Sequence, residues 1–127
     1  MGLSKQSWFL FKKIKEIDSF LEIRNRPSVF ESHPELVFQV MKGEAIKTKK
    51  NTQEGLKERI DILVENGFDK KFIDKFINEK NSFYKNDDFI DSCSLFWSAK
   101  RAGKRNEIQI PKKIIKDEKG IIMQMKI

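Results

Sequence analysis

The sequence of 127 residues has little cysteine, histidine, proline or glycine, and each shortage excludes a class of site or of fold. Its only cysteine, Cys93, cannot form an intramolecular disulfide or a multi-cysteine metal site, and such usage favours a reducing compartment. Its only histidine, His33, cannot build a histidine-rich zinc site. There is no glycine-rich phosphate loop and no linker-like segment, so the sequence predicts a single domain over residues 1–127.

The sequence also lacks long hydrophobic runs. No stretch approaches the roughly 20 apolar residues that a membrane-spanning helix needs. The beginning, MGLSKQSWFLFKKIKEID, returns to charged residues too soon for a signal peptide. We therefore expect a soluble, cytoplasmic protein that does not associate with a membrane.

Positive charge and phenylalanine are both abundant. The net charge is +7, and 39% apolar residues with eleven phenylalanines predict a folded chain rather than a disordered one. Residues 100–119 hold eight basic and three acidic residues and so carry most of the excess charge. This segment contacts phosphates in one interpretation and is an ordinary solvated surface in the other. Trp8 and Trp97 are expected in the core rather than as base-stacking platforms.

Apolar residues at helical spacing predict a chain that is mostly helical, with three short strands. Ser4 and Thr52 are expected to cap two of the helices, and a break is expected at residues 25–27. The predicted helices span 4–21, 35–41, 52–66, 69–81 and 86–103, and the predicted strands span 28–31, 107–111 and 120–127. The fold class is therefore α/β and rich in helix.

Acidic residues follow the first predicted strand and begin the last predicted helix. Glu31 ends the strand. Asp87, Asp88 and Asp91 form a DDxxD pattern, and its spacing places Asp91 on the same helix face as Asp87 or as Asp88. Carboxylate oxygens in such positions are ligands for Mg²⁺ or Mn²⁺, and a pair of such ions assists phosphodiester hydrolysis. Ordinary capping and helix-dipole roles are the alternative. The metal interpretation requires Glu31 to meet Asp88 and Asp91 in the folded chain.

Two motifs carry a resemblance to a known family. They are Glu-Ser-His-Pro-Glu at 31–35 and Asp-Asp-Phe-Ile-Asp at 87–91. Weaker pieces occur in the same order along nearly the whole chain, at 2–6, 13–18, Lys50, Gly55, Arg59, 110–111, Asp117 and Gly120. With these motifs the chain resembles the carboxyl-terminal part of a family of predicted RNase H-like nucleases, a domain-of-unknown-function family.

The resemblance implies an RNase H-like fold, a Mg²⁺- or Mn²⁺-dependent nuclease activity and roles for particular residues. Glu31, Asp88 and Asp91 would bind the metal and act in catalysis, Asp87 would be a further metal ligand, and His33 would contact a phosphate or orient a ligand. Glu16 is a candidate for the acidic residue of the first helix. The candidates near nucleic-acid phosphates are Lys49, Lys50 and Arg59, for which solvated charge is the alternative.

The sequence departs from the family pattern at its start. RNase H-like domains begin with three strands, the first of which carries a catalytic aspartate, and these strands are absent here. The resemblance therefore predicts an incomplete sheet with an exposed edge, which a second copy or a separate polypeptide supplying strands would cover. A second hypothesis is a non-catalytic remnant that binds nucleic acid or a protein partner through residues 100–119.

Overall fold

The computed structural model describes residues 4–23, 28–79 and 83–127. These ranges contain five helices and a small two-stranded sheet, which agrees with the predicted helix-rich α/β class. The elements are α1 (Lys5–Leu21), α2 (Pro34–Lys42), α3 (Gln53–Glu65), α4 (Lys70–Asn78), α5 (Asn86–Gly103), β1 (Gln109–Ile110) and β2 (Met125–Lys126). None of the described helices combines the length and apolar composition that crossing a membrane requires.

Side-chain caps set the beginnings of three helices. The Ser4 hydroxyl accepts a hydrogen bond from the Ser7 backbone N–H at 3.1 Å, and the Thr52 hydroxyl accepts one from Gly55 at 3.0 Å. Both predicted caps are thus confirmed. Asp69 caps α4 in the same way. The predicted break at 25–27 and the predicted end of the fourth helix at residue 81 lie outside the described residues.

The hydrophobic core lies where α5 packs against α2, α3 and α4. The core side chains come from all four of these helices: Phe38, Ile62, Leu63, Ile73, Ile90 and Cys93. Burial raises the pKa of the Cys93 thiol, because a thiolate would lose its hydration there. Cys93 is therefore a packing residue within the core.

The sheet is smaller than the sequence predicted. β1 and β2 pair antiparallel, with Gln109 opposite Lys126, and Glu31 adds a single parallel bridge to Met125. Only residue 31 of the predicted strand 28–31 is therefore bridged, and the strands predicted at 107–111 and 120–127 shorten to two residues each. In the described chain, no backbone hydrogen bond joins residues 28–30 to another strand, and such a segment cannot form a ladder.

Helix α1 begins and ends as predicted, but its apolar side chains do not join the core. Trp8 is 68% exposed and contacts the Phe11 ring edge-on at 6.4 Å. The prediction that Trp8 is a core residue is therefore wrong, because no described element covers this face of α1. Trp97 is half-buried, with the Arg101 guanidinium 4.7 Å from the centre of its ring.

The loop before α3 packs directly on Gly55. A Cβ at this position would lie 1.9 Å from the Lys49 carbonyl oxygen, which already accepts hydrogen bonds from the backbone N–H and hydroxyl of Thr52. The absence of a side chain thus allows residues 49–52 to fold against the first turn of α3.

We expect Gly55→Ala to lower the free energy of unfolding by about 2 kcal/mol, because the loop must move to admit the methyl group. Gly103→Ala is the matched control. A Cβ there meets nothing within 4 Å, so we expect a gain of about 0.5 kcal/mol from helix propensity. Urea denaturation measures the free energy of unfolding of each variant. Equal effects of the two substitutions would contradict the close approach of the loop to Gly55.

Candidate functional site

An ion pair between a buried guanidinium and a partly exposed carboxylate joins α2 to α3. The Arg59 side chain is 4% exposed, and its Nε and Nη2 atoms donate to the two carboxylate oxygens of Glu35 at 3.0 and 2.6 Å. Its Nη1 atom donates to the Gly55 carbonyl oxygen at 2.9 Å. Such a two-pronged contact is strong and directional because the planar guanidinium matches the carboxylate. The Arg59–Glu35 ion pair therefore fixes the first turn of α2 against the middle of α3.

Further polar contacts hold the loop between α2 and α3 in place. The Lys42 ammonium lies 2.7 Å from the Glu58 carboxylate, and the Thr48 hydroxyl donates to the other oxygen of Glu58. Hydrogen bonds from Lys42 and Thr48 hold the pKa of Glu58 below its usual value. This part of the loop is thus tied to α2 and to α3, which determines where the residues after Thr48 lie.

The same loop brings Lys50 to the first turns of α5. The Lys50 Nζ atom lies 3.0 Å from Asp91 Oδ2, across 41 positions of sequence. This hydrogen bond raises the pKa of Lys50, and the negative charges of Asp91, Asp87 and Glu35 raise it further. We call these four residues the Lys50 cluster. Within it, the Lys50 ammonium is hydrogen-bonded to Asp91, and Asp87 and Glu35 act on it only through their charge.

The other predicted acidic residues have different surroundings. Asp88 Oδ2 accepts from the Lys85 backbone N–H at 3.1 Å, which caps α5. The Glu31 side chain is exposed, and its carbonyl oxygen accepts from the Lys126 backbone N–H at 2.9 Å. Among the described residues, no hydrogen bond or ion pair joins the side chain of Glu31 or Asp88 to the Lys50 cluster.

The position of Glu31 relative to α5 follows from Ser98. The Ser98 hydroxyl donates to the carbonyl oxygen of Lys126, the residue whose N–H binds Glu31. Ser98 lies seven residues after Asp91 on the same helix, which is about 10 Å along its axis. The chain near Glu31 therefore contacts the later half of α5, whereas Lys50 contacts its beginning.

Of the remaining predicted residues, His33 and Lys49 are at the surface and Arg59 is buried. His33 is the N-cap residue of α2, but its exposed side chain makes no capping hydrogen bond. Lys49 is exposed, and it contributes its carbonyl oxygen to the turn before α3. The donors of Arg59 are engaged by Glu35 and by carbonyl oxygens. A phosphate would have to compete with these groups, and its contact with Arg59 stays a prediction.

A divalent cation fits this arrangement only in part. In the ranges 4–23, 28–79 and 83–127, no three His, Cys, Asp or Glu side chains lie close enough together to hold a metal ion. Asp87 and Asp91 are one helical turn apart and share a face of α5, and Asp91 is the one that is hydrogen-bonded to the Lys50 ammonium. The described residues therefore provide part of a ligand set, and Lys50 neutralises that part.

Sequence reasoning missed the partnership of Glu35 with Arg59, although a signal was present. Arg59 lies three residues after Leu56 and four before Leu63, which places a guanidinium within the apolar face of α3. An arginine at such a position requires a buried acidic partner. The roles of Lys42, Thr48 and Glu58 had no comparable signal, because all three are common surface residue types.

Comparison with known proteins gives one match. The profile of a family described as DUF429, protein of unknown function, matches residues 1–114. No curated protein and no solved structure matches the chain.

We expect Arg59→Met to lower the free energy of unfolding by about 3 kcal/mol, because it leaves the Glu35 carboxylate without its main partner. Lys57→Met, an exposed position on the same helix, should change it by less than about 0.5 kcal/mol. A double-mutant cycle with Glu35→Gln measures the coupling of the pair. A coupling energy near zero would show that the Arg59–Glu35 ion pair does not hold α2 in place.

Proposed function

The chain belongs to the DUF429 family of proteins of unknown function. From the resemblance carried by residues 31–35 and 87–91, we propose that it is a nuclease-like domain of the RNase H type. In this proposal it acts on phosphodiester bonds with Mg²⁺ or Mn²⁺. The resemblance assigns Glu31, Asp87, Asp88 and Asp91 as metal ligands and His33 as a group that assists at the phosphate. Asp87 and Asp91 share one face of α5 and form the core of this set. Glu31 lies beside the later half of α5, so its side chain would have to move to join them. A bound divalent ion would supply a polarised water and stabilise charge on the phosphate oxygens.

The Lys50 cluster is the observation that supports this proposal. Carboxylates are normally solvated at the start of a helix, yet here Asp91 pairs with an ammonium group from a distant loop, and the charge of Asp87 adds to the attraction. Lys50 is 41% exposed and Asp91 is 21% exposed, so the position is open to solvent ions. A cation competing for these carboxylates would displace a lysine side chain, which has several rotatable bonds and bends away at little cost.

The chain's own groups then have separate tasks. In this proposal Asp87 and Asp91, which share one face of α5, bind the divalent cation. Lys50, once displaced, is a point charge that can bind a phosphate beside the same carboxylates. His33 is exposed two residues before Glu35, and among the described residues its side chain has no hydrogen-bond partner. It can therefore donate to, or accept from, a phosphate that lies over the start of α2.

We expect Mn²⁺ to bind the protein in isothermal titration calorimetry, and the variants to shift its affinity in opposite directions. Asp91→Asn should weaken binding about tenfold, because one carboxylate charge is lost. Lys50→Met should tighten binding by a similar factor, because the metal no longer competes with an ammonium group. Lys49→Met, at the preceding position, should leave the affinity unchanged.

Cleavage tests the activity itself. With Mn²⁺ present the protein should cut a single-stranded or duplex oligonucleotide, and Glu31→Gln or Asp88→Asn should abolish the cut. Absence of both metal binding and cleavage would reject the nuclease proposal. Cleavage that survives Glu31→Gln would reject the proposed ligand set.

A second proposal is a non-catalytic protein that binds nucleic acid through residues 100–119. The supporting observation is that most basic side chains of this segment have no acidic partner among the described residues, whereas Lys119 has two. Lys119 is paired with Asp18 at 2.7 Å and Glu22 at 3.0 Å. Within the described chain, the exposed basic residues of this segment without an acidic partner include Lys104, Arg105, Lys112, Lys113 and Lys116. Their charge is available to phosphates.

We expect the affinity for an oligonucleotide in EDTA to fall steeply with salt. Replacing Lys112, Lys113 and Lys116 together with glutamine should weaken binding and reduce the slope of log affinity against log salt by about 2. Fluorescence anisotropy measures both quantities. The control replaces the exposed Lys47, Lys57 and Lys71, which removes equal charge elsewhere. Equal losses in the two triple variants would contradict a binding surface at 100–119.

A further inference from the structure

An open cavity with charged walls lies beside the end of α5, whereas the Lys50 cluster lies at the beginning of that helix. Its volume is about 690 Å³, and small-molecule sites in proteins occupy about 300–1,000 Å³. The residues that α5 contributes to the wall all have small side chains, which leaves room beside the helix. The rest of the wall includes three charged side chains, Arg105, Glu107 and Lys126, and one aromatic ring, Phe30. Such a lining suits a polar molecule that also has a planar part.

The Glu107 carboxylate has one oxygen that the described chain leaves unpaired. The side chain is 9% exposed, and its Oε1 atom accepts hydrogen bonds from Lys126 Nζ and Gln109 Nε2, both at 3.1 Å. Its Oε2 atom is buried and has no hydrogen-bond partner among the described residues. Buried polar atoms in folded proteins are nearly always hydrogen-bonded. Oε2 is therefore an acceptor position that a donor from outside the chain can fill.

The charges around Oε2 favour an uncharged donor. The pKa of Glu107 is lowered to about 2 by its own backbone N–H and by the hydrogen bonds from Lys126 and Gln109, so the ionised group can only accept. A cationic donor at Oε2 would lie beside the Lys126 ammonium, which is 3.1 Å from the other oxygen of the same carboxylate. Because like charges repel at such a separation, a neutral N–H group fits better than an ammonium or a guanidinium.

Phe30 and Arg105 add two further kinds of contact. Phe30 is 46% exposed, and the Lys126 ammonium lies 3.8 Å from the centre of its ring. Nucleobases stack on exposed aromatic rings of this kind. Arg105 is exposed, and no acidic side chain of the described chain pairs with it. Its φ of 58° lies at the left-handed position after α5, where glycine is usual, so a guanidinium stands there in spite of backbone strain. A phosphate is a group that an unpaired arginine binds.

We propose that this cavity binds one unpaired nucleotide whose base carries an amino group, as adenine, guanine and cytosine do. The amino group donates to Glu107 Oε2, the base lies against the Phe30 ring, and the phosphate pairs with Arg105. Because Oε2 is buried in the unbound chain, a neighbouring side chain must yield, and Lys126 in the wall is a flexible one. The inference rests on neither proposed function, since a free nucleotide and an unpaired nucleotide of a strand present the same groups.

The chemistry of the ligand tests the proposal on the unaltered chain. In a ¹H–¹⁵N NMR titration with EDTA present, cytidine 5′-monophosphate should shift the amide signals of the cavity wall with a dissociation constant below about 1 mM. Uridine 5′-monophosphate has nearly the same size, but it places a carbonyl oxygen where cytosine has its amino group. It should bind at least tenfold more weakly, and inorganic phosphate more weakly still. Equal affinities for the two nucleotides, or no shift because water alone satisfies Oε2, would overturn the proposal.

Variants test the assigned contacts. Glu107→Gln should weaken cytidine monophosphate binding at least tenfold and remove the preference over uridine monophosphate. Glu118→Gln is the matched control, because it makes the same change at an exposed carboxylate of the same segment outside the cavity, and it should change neither affinity. Phe30→Leu should weaken both nucleotides equally, because it removes the ring and leaves Glu107 in place. A preference that survives Glu107→Gln would overturn the assignment.

Two further measurements complete the test. Far-UV circular dichroism verifies that each variant folds, and if Glu107→Gln does not, the comparison of the two nucleotides on the unaltered chain decides. A short single-stranded oligocytidine distinguishes the sources of the nucleotide. Affinity at least tenfold tighter than that of the mononucleotide assigns the cavity to a strand, since phosphates beyond the cavity then add contacts, and equal affinity assigns it to a free nucleotide.

Discussion

The Arg59–Glu35 ion pair is the contact on which the arrangement of this chain depends. It joins the first turn of α2 to the middle of α3 through two hydrogen bonds, beside the core residue Phe38. A guanidinium that is 4% exposed is costly without an acidic partner, and Glu35 supplies that partner in this packing of α3 on α2. The loop between the helices is then fixed at Thr48 and Gly55, which directs Lys50 towards α5.

This constraint connects the fold to the candidate site. Because the loop is held at Thr48 and Glu58, Lys50 reaches Asp91, although the two residues are far apart in sequence. The carboxylates at the start of α5 therefore meet a cation supplied by the chain itself. The proposed metal site and the proposed phosphate contact of Lys50 share this position. A substitution of Lys50 should therefore change the affinity for the metal.

The helices were the most predictable part of the structure. The caps at Ser4 and Thr52 and the end of α5 at Gly103 follow from local chemistry that the sequence displays directly. Helix α2 begins at Pro34, one residue before its predicted start. The strands were less predictable, because a strand exists only through its neighbours. Residues 28–30 have strand-like composition but pair with no other strand in the described chain. Exposure was unpredictable for the same reason: α1 has the apolar spacing of a buried helix, yet no described element covers Trp8.

The candidate site divides in the same way. Sequence alone singled out Asp87, Asp91 and Lys50, because acidic residues at a helix start and lysines in a loop are visible as residue types. Only the tertiary structure decided that Lys50 pairs with Asp91, that Glu35 pairs with Arg59, and that Asp88 caps its own helix. The physical reason is range: caps and periodicity act within one or two helical turns, whereas an ion pair across 41 residues exists only after the helices between them have packed.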